Sequence, residues 1–146
     1  MFVGHTLNKL DEKYRLTVPA RFREELTDGA YVLPGFDRCL MILTPVIFEA
    51  MARKVDATSI TDPESRFLRR MFFASAEKVE LDKAGRILVS ESLRGYAGIT
   101  NEAWVIGSGR YLEIWSPEGW EPMLEVLSDS EANAQRFVSL NLSTEL

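Results

Sequence analysis

Short runs of alternating apolar and polar residues come round twice along the chain. Leu16 and Val18, and again Ile87 and Val89, lie two apart and predict strands over 15–18 and 86–89, each with one buried face. A short strand is predicted ahead of each, at 6–10 and 78–81. Pro19 and Ser90 then open short helices over 20–26 and 91–97, because proline suits a first helical turn and serine suits an N-cap. Hairpins follow. The first joins Tyr31-Val32-Leu33 to Leu40-Met41-Ile42-Leu43 around Pro34-Gly35-Phe36-Asp37; the second joins Trp104-Val105-Ile106 to 111–115 around Gly107-Ser108-Gly109. Thr44-Pro45 and Ser116-Pro117 place a capping hydroxyl before a proline, so a helix should leave each hairpin. Pro122 falls inside the second of these and is expected to delay its start or kink it. Between the halves, Asp62-Pro63 starts a helix through Phe72, with Phe67, Leu68, Met71 and Phe72 as a packed apolar face and Arg66, Arg69 and Arg70 on a solvated one.

These parallels are an internal repeat. Leu10-Asp11-Glu12-Lys13-Tyr14-Arg15-Leu16-Thr17-Val18 lies over Leu81-Asp82-Lys83-Ala84-Gly85-Arg86-Ile87-Leu88-Val89, an offset of 71 residues as the positions of Asp11 and Asp82 show. The segment 40–49 lies over 112–121 at an offset of 72, and a loop absorbs the extra residue. Each half carries one Asp-x-x-x-Arg motif between its first two strands.

Charge changes the picture. The formal net charge is −5, which argues at first sight against nucleic acid. Residues 112–146 hold seven acidic side chains against Arg136, a local −6, so the other 111 residues total +1. Lys9, Lys13, Arg15, Arg21 and Arg23 gather in the front of the chain against Asp11 and Glu12. An acidic tail thus masks a mildly basic front. With 46% hydrophobic residues among 146, two units of about 50 residues would each be marginal alone and are expected to share a core.

Enzyme chemistry finds few groups to work with. His5 is the only histidine and Cys39 the only cysteine, and nothing in their spacing pairs them. The same scarcity argues against zinc, no phosphate-binding loop or dinucleotide fingerprint is present, and no cofactor or small-molecule substrate is expected. No segment has the roughly 20 apolar residues of a membrane helix. The opening residues lack a secretory pattern, and a reducing cytoplasm is the expected setting. Trp104, Trp115 and Trp120 are expected in the core, His5 packed or on the surface, and Cys39 buried.

The opening Met1-Phe2-Val3-Gly4, with Leu10-Asp11-x-Lys13-x-Arg15-Leu16-x-Val18-Pro19-Ala20-Arg21-Phe22-Arg23, resembles the amino-terminal half of the MraZ family. Leu81-Asp82-x-x-Gly85-Arg86-Ile87 and Tyr111-Leu112-Glu113-Ile114-Trp115 resemble the second half, so the likeness covers nearly the whole chain. That resemblance implies an α+β, mainly β fold: two SpoVT-AbrB units related by a pseudo-two-fold axis in a swapped-hairpin or double-psi β-barrel with short flanking helices. It places the units at 5–47 and 76–119, a helical connector at 48–75, and an acidic helix and tail at 120–146. It further implies a homo-oligomeric ring on the nucleoid that binds direct repeats in double-stranded DNA and controls its own promoter at the head of a cell-division and cell-wall gene cluster.

On that reading Arg15 and Arg86 are the contacting pair, because a guanidinium fork can bond a phosphate or the O6 and N7 of guanine at two points. Lys13 and Lys83 would neutralise phosphates, with Arg21 and Arg23 of second rank. Asp11 and Asp82 would structure the loops by accepting N–H groups or orienting the arginines. One position departs from the family pattern: Tyr14 stands where glycine is usual and Gly85 is kept. If the site needs a positive φ, tyrosine there costs roughly 1–2 kcal/mol. The first loop is therefore expected to be altered in shape while still presenting Arg15, the alternative being a ring accepted for packing on nucleic acid. Tyr14 and the acidic tail also motivate a rival, an AbrB-like protein-interaction module without a DNA role.

Overall fold

The computed structural model describes residues 1–142; the end of the expected acidic tail lies outside them. Two equivalent series of elements follow one another. The first is β1 (His5–Lys9), β2 (Arg15–Thr17), α1 (Ala20–Arg23) extended by a tight turn at Glu24–Leu26, β3 (Ala30–Pro34), β4 (Leu40–Leu43) and α2 (Pro45–Asp56). After α3 (Pro63–Arg69), which widens into a π-helical turn at Arg70–Ala74, the series repeats. It comprises β5 (Glu77–Val79), β6 (Arg86–Leu88), α4 (Glu91–Ala97), β7 (Glu102–Gly107), β8 (Leu112–Trp115) and α5 (Pro117–Leu127), with α6 (Ser130–Arg136) and a short turn at Val138–Leu140 appended. The molecule is α+β with an antiparallel six-stranded sheet and a separate two-stranded ladder.

The six-stranded order is β1-β7-β8-β4-β3-β5, which reads the same from either end when the halves are exchanged. At its centre β4 pairs with β8, Met41 opposite Glu113. On the flanks the first strand of each half joins the hairpin of the other, Leu7 opposite Trp104 and Lys78 opposite Tyr31. The ladder obeys the same symmetry, since β2 pairs with β6 and Leu16 faces its own counterpart Ile87. Neither half could therefore complete its hydrogen bonding without the other.

Strand alternation divides the apolar residues between two faces of the sheet. Leu40, Ile42, Leu112 and Ile114 join Leu16, Val18, Ile87 and Val89 in one core drawn from both halves. Met41 and Leu43 point the other way, under α2 and the π-helical turn, with Phe48, Leu68 and Phe72. Ile106 and Trp115 do so under α5, with Trp120 and Cys39. Full burial of Leu16 and Ile87, 0% and 1% exposed, contributes about 1.5–3 kcal/mol each and fixes the ladder that carries the loops.

Caps explain where the helices begin. The Thr44 hydroxyl accepts the Ile47 N–H at 3.3 Å, Ser116 that of Gly119 at 3.0 Å and Ser90 that of Leu93 at 3.4 Å. Because Ser116 caps and Pro117 fills the first helical position, Pro122 does not delay α5, which runs through it to Leu127. The apolar face expected around α3 is only partly buried. Ser65, Leu68 and Phe72 form the covered line, three and four residues apart, and Phe67, one position off it, is 70% exposed. Arg69 is not simply solvated: it donates to the Asp56 carboxylate and to the Asp56 and Thr58 carbonyls at 2.8–2.9 Å, holding the end of α2. Trp115 and Trp120 are buried and Trp104 is half-buried against them.

Candidate nucleic-acid interface

Each Asp-x-x-x-Arg segment is a tight turn organised by its aspartate. In the first, Asp11 Oδ1 accepts the backbone N–H groups of Lys13 and Arg15, both at 2.9 Å, while Oδ2 accepts Arg15 Nε at 2.7 Å. In the second, Asp82 Oδ1 accepts from Ala84 and Arg86 at 2.9 Å, and Oδ2 accepts Arg86 Nε at 2.9 Å. Main-chain bonds match as well: Tyr14 N to Asp11 O at 3.0 Å corresponds to Gly85 N to Asp82 O at 2.9 Å. The carboxylate satisfies donors a bare turn would leave open, and in the same stroke orients the arginine that ends the turn.

The β2–β6 ladder brings the two turns into one cluster. Arg86 Nη1 reaches across to Asp11 Oδ2 at 3.2 Å, and Arg15 Nη1 lies 3.9 Å from Asp82 Oδ2. Each guanidinium thus gives Nε to its own aspartate; Arg86 also donates Nη1 to the other one, whereas Arg15 meets the other only as an ion pair. Among the described residues neither Nη2 makes a hydrogen bond, and the two arginine side chains remain 34% and 29% exposed. The backbone N–H groups of Arg15 and Arg86, followed by the hydrogen bonds from their guanidiniums and then the N–H groups of Lys13 and Ala84, hold the Asp11 and Asp82 carboxyls below their ordinary value of 3.8 against the opposing effect of burial. The four-residue cluster is neutral overall. Positive charge on this side comes from the exposed Lys13 and Lys83 and from Arg23 and Arg94, against Glu12 and Glu91.

The first loop does not have an altered shape. Tyr14 has φ +61° and Gly85 +77°, the same left-handed conformation, so tyrosine accepts the backbone strain instead of reshaping the turn. The halves differ in what covers that position. A Cβ on Gly85 would stand 2.2 Å from Arg23 Nε and 2.3 Å from its Cζ, so the Arg23 head fills the space a side chain would take. Arg23 Nε also donates to the Val18 carbonyl at 2.8 Å. The counterpart of Arg23, at the same 71-residue offset as the loops, is Arg94 on α4. Since the side chain of Tyr14 occupies the equivalent space, Arg94 takes the face of its ring, with Cζ 3.5 Å from the centroid. Arg94 was not among the sequence candidates, although the repeat offset alone singles it out.

Arg21 stands apart from this arrangement, its guanidinium over the Phe22 ring and its Nε 3.5 Å from the Val3 carbonyl. Cys39 is fully buried, donates to the Phe36 carbonyl at 2.9 Å, and is pushed up to about 12 by burial and by Glu113, so its thiolate is not available as a nucleophile. His5 is exposed and packs on Trp104 and Trp120 instead. Among the described residues no three His, Cys, Asp or Glu side chains gather to hold a metal ion, and no helix is long and apolar enough to cross a membrane.

Fold and site together define a duplicated α+β protein whose halves exchange strands and unite two Asp-x-x-x-Arg turns in a single cluster. Comparison with known proteins agrees with the duplication: the family model described as "MraZ protein, putative antitoxin-like" matches the chain twice, at residues 1–71 and 72–140. The transcriptional regulator MraZ of Thermomicrobium roseum is 44% identical, over 96% of this chain and 99% of that protein. The protein of the same name from Roseiflexus castenholzii is 42% identical over 94% of both chains, and that from Corynebacterium urealyticum 48% over 83% and 85%. The chain belongs to the MraZ family. By the names its members carry, this is a family of transcriptional regulators and not of enzymes.

Proposed function

We propose that the protein is a sequence-specific DNA-binding transcriptional regulator that represses its own promoter at the head of a cell-division and cell-wall gene cluster. The observation that carries this reading is the union of both turns in one cluster, with Arg15 and Arg86 preset by Asp11 and Asp82 and each left with a free Nη2. A guanidinium already fixed in place loses less entropy on meeting DNA than a mobile one. Lys13 and Lys83 supply phosphate neutralisation beside them. The strand exchange between halves supports an AbrB-like swapped-hairpin barrel, with units at 5–47 and 76–119, the connector at 48–75 and the acidic segment at 120–146.

One protomer offers a small interface, whereas specific complexes normally bury about 1,000–2,500 Å² of protein. Several protomers in a ring, each meeting one unit of a direct repeat, would raise affinity by about 10²–10⁴ through linkage. The setting is the cytoplasm and its nucleoid. A protein-interaction module on the same scaffold is the second reading, favoured by the two carboxylates at the centre of the cluster.

Fluorescence anisotropy on a fragment from upstream of the protein's own gene, across a salt series, separates the two. The expected result is wild-type binding that weakens steeply as salt rises and falls at least a hundredfold in Arg15→Ala or Arg86→Ala. No binding at low salt by a folded, oligomeric protein overturns the DNA reading in favour of the interaction module.

A further inference from the structure

Arg23 and Arg94 are equivalent by position but not by commitment. Arg23 is taken up by the fold: its head lies on Gly85 and its Nε holds the Val18 carbonyl at 2.8 Å. Arg94 Nε points instead to the Ser90 carbonyl, one position beyond the counterpart of Val18, at a longer 3.5 Å. Among the described residues neither arginine has an ion pair or a hydrogen bond through Nη1 or Nη2, so the two differ in what holds the head and not in the donors left over. The Arg94 guanidinium is nevertheless held, because its Cζ sits over the Tyr14 ring, 3.5 Å from the centroid. A stacked guanidinium has one face covered and its in-plane donors directed sideways, the geometry that meets two phosphate oxygens at once.

Beside this pair lies a cleft of about 340 Å³ lined by Tyr14, Glu91, Arg94, Ile99, Thr100 and Asn101. Thr100 and Asn101 are exposed and bring a hydroxyl and an amide, both able to donate to a phosphate. Tyr14 is 46% exposed and keeps its left-handed backbone despite the strain. Strain retained at one of two otherwise matched turns marks a place where the side chain has work beyond the fold.

We infer that Arg94 is a DNA-backbone contact on the first-loop side of the site, and that Tyr14 is the positioning residue that holds it there. The inference rests on the DNA-binding reading above and adds to it a polarity: one side of the cluster grips a phosphate with a guanidinium stacked on a ring, where the other has a guanidinium drawn down onto Gly85 and the Val18 carbonyl. The two ends of the site are then unlike, and a protomer sits on its DNA in one direction only.

The test uses the full chain and the same upstream fragment. Arg94→Ala and the length-preserving Arg94→Gln should weaken binding on the order of tenfold per engaged protomer and lower the slope of log K against log salt by about 0.9 for each phosphate that is no longer neutralised. Arg23→Gln should lower that slope by clearly less than Arg94→Gln does, and an equal drop overturns the polarity. Tyr14→Phe, which keeps the ring, should bind as wild type does, while Tyr14→Gly should weaken binding in the wild-type background and add nothing to Arg94→Gln. An unchanged salt slope in folded Arg94→Gln, under conditions where Arg15→Ala abolishes binding, overturns the inference and leaves the DNA reading standing. A further loss from Tyr14→Gly in the Arg94→Gln background overturns the positioning role, because the ring would then touch DNA itself. Absence of wild-type binding sinks both.

Discussion

The two Asp-x-x-x-Arg turns share their aspartate-centred hydrogen bonds and their left-handed fourth position, yet one carries tyrosine and the other glycine there. The comparison separates two requirements that a glycine usually meets together. The turn is specified by the aspartate, whose three bonds accepted from within the turn suffice to hold even a tyrosine at φ +61°. Glycine is needed in the second turn for a different reason, to admit the head of Arg23. The first turn has no such lodger, because its ring has turned Arg94 out onto its own face.

Below the turns the halves should be interchangeable, which gives the largest expected effect. Leu16 and Ile87 face one another on the ladder and are both fully buried. Leu16→Ala and Ile87→Ala should each destabilise by about 3 kcal/mol in thermal or denaturant unfolding. Costs within about 1 kcal/mol of each other support a symmetric base, and a larger gap breaks the comparison at its foundation. Next comes the transplant Gly85→Tyr. It adds a backbone cost of about 1–2 kcal/mol and displaces Arg23 from a bond to Val18 whose loss costs about 1 kcal/mol more. A total near 2–3 kcal/mol is expected by calorimetry; a neutral result would show that Arg23 can climb onto a ring as Arg94 does.

Much of this was legible in the sequence because the repeat supplied two readings of every element. The hairpins, the capping hydroxyls of Thr44 and Ser116 and the buried line of Leu16, Val18, Ile87 and Val89 follow from local spacing and turn chemistry. The exchange of β1 and β5 between halves does not, since pairing between strands so far apart in the chain leaves no local trace. Nor could spacing show that Arg15 and Arg86 share each other's aspartates, or that Arg69 closes the end of α2. Phe67 illustrates the opposite limit: helical periodicity places it on the apolar side, but the neighbours of α3 cover only the line through Leu68 and Phe72. Tyr14 shows a third, for a rule about glycine and positive φ bounds a cost and says nothing of whether the fold will bear it.

Tyr14→Gly is the reciprocal transplant, and here three small effects compete. Relief of the left-handed conformation gains about 1–2 kcal/mol. Losing the stack on Arg94 costs about 0.5–1 kcal/mol at so exposed a site. The freer unfolded chain costs about 0.4–1 kcal/mol more. Stability should therefore change by less than about 1 kcal/mol in either direction, well below the loss from Gly85→Tyr. That inequality is the sharper test of the asymmetry, since two turns strained in the same way would respond to reciprocal exchanges with equal and opposite shifts.

Acid should reveal the least difference of all. Both aspartates have carboxyls held below 3.8 in the folded protein, first by the N–H of the arginine that ends each turn. A carboxyl depressed on folding adds stability that is complete above its ordinary value and disappears as pH falls through the lower folded one. Thermal stability should accordingly decline below about pH 4, and Asp11→Asn or Asp82→Asn should each flatten that decline, because an amide carries no proton-linked charge. The two variants should flatten it alike, as Tyr14 takes no part in the bonds that depress Asp11. A distinctly larger effect at Asp82, where the Arg23 head sits on the turn, would mean that Arg23 contributes to the field at that carboxylate, and the asymmetry would then extend from the covering side chain to the electrostatics of the turn itself.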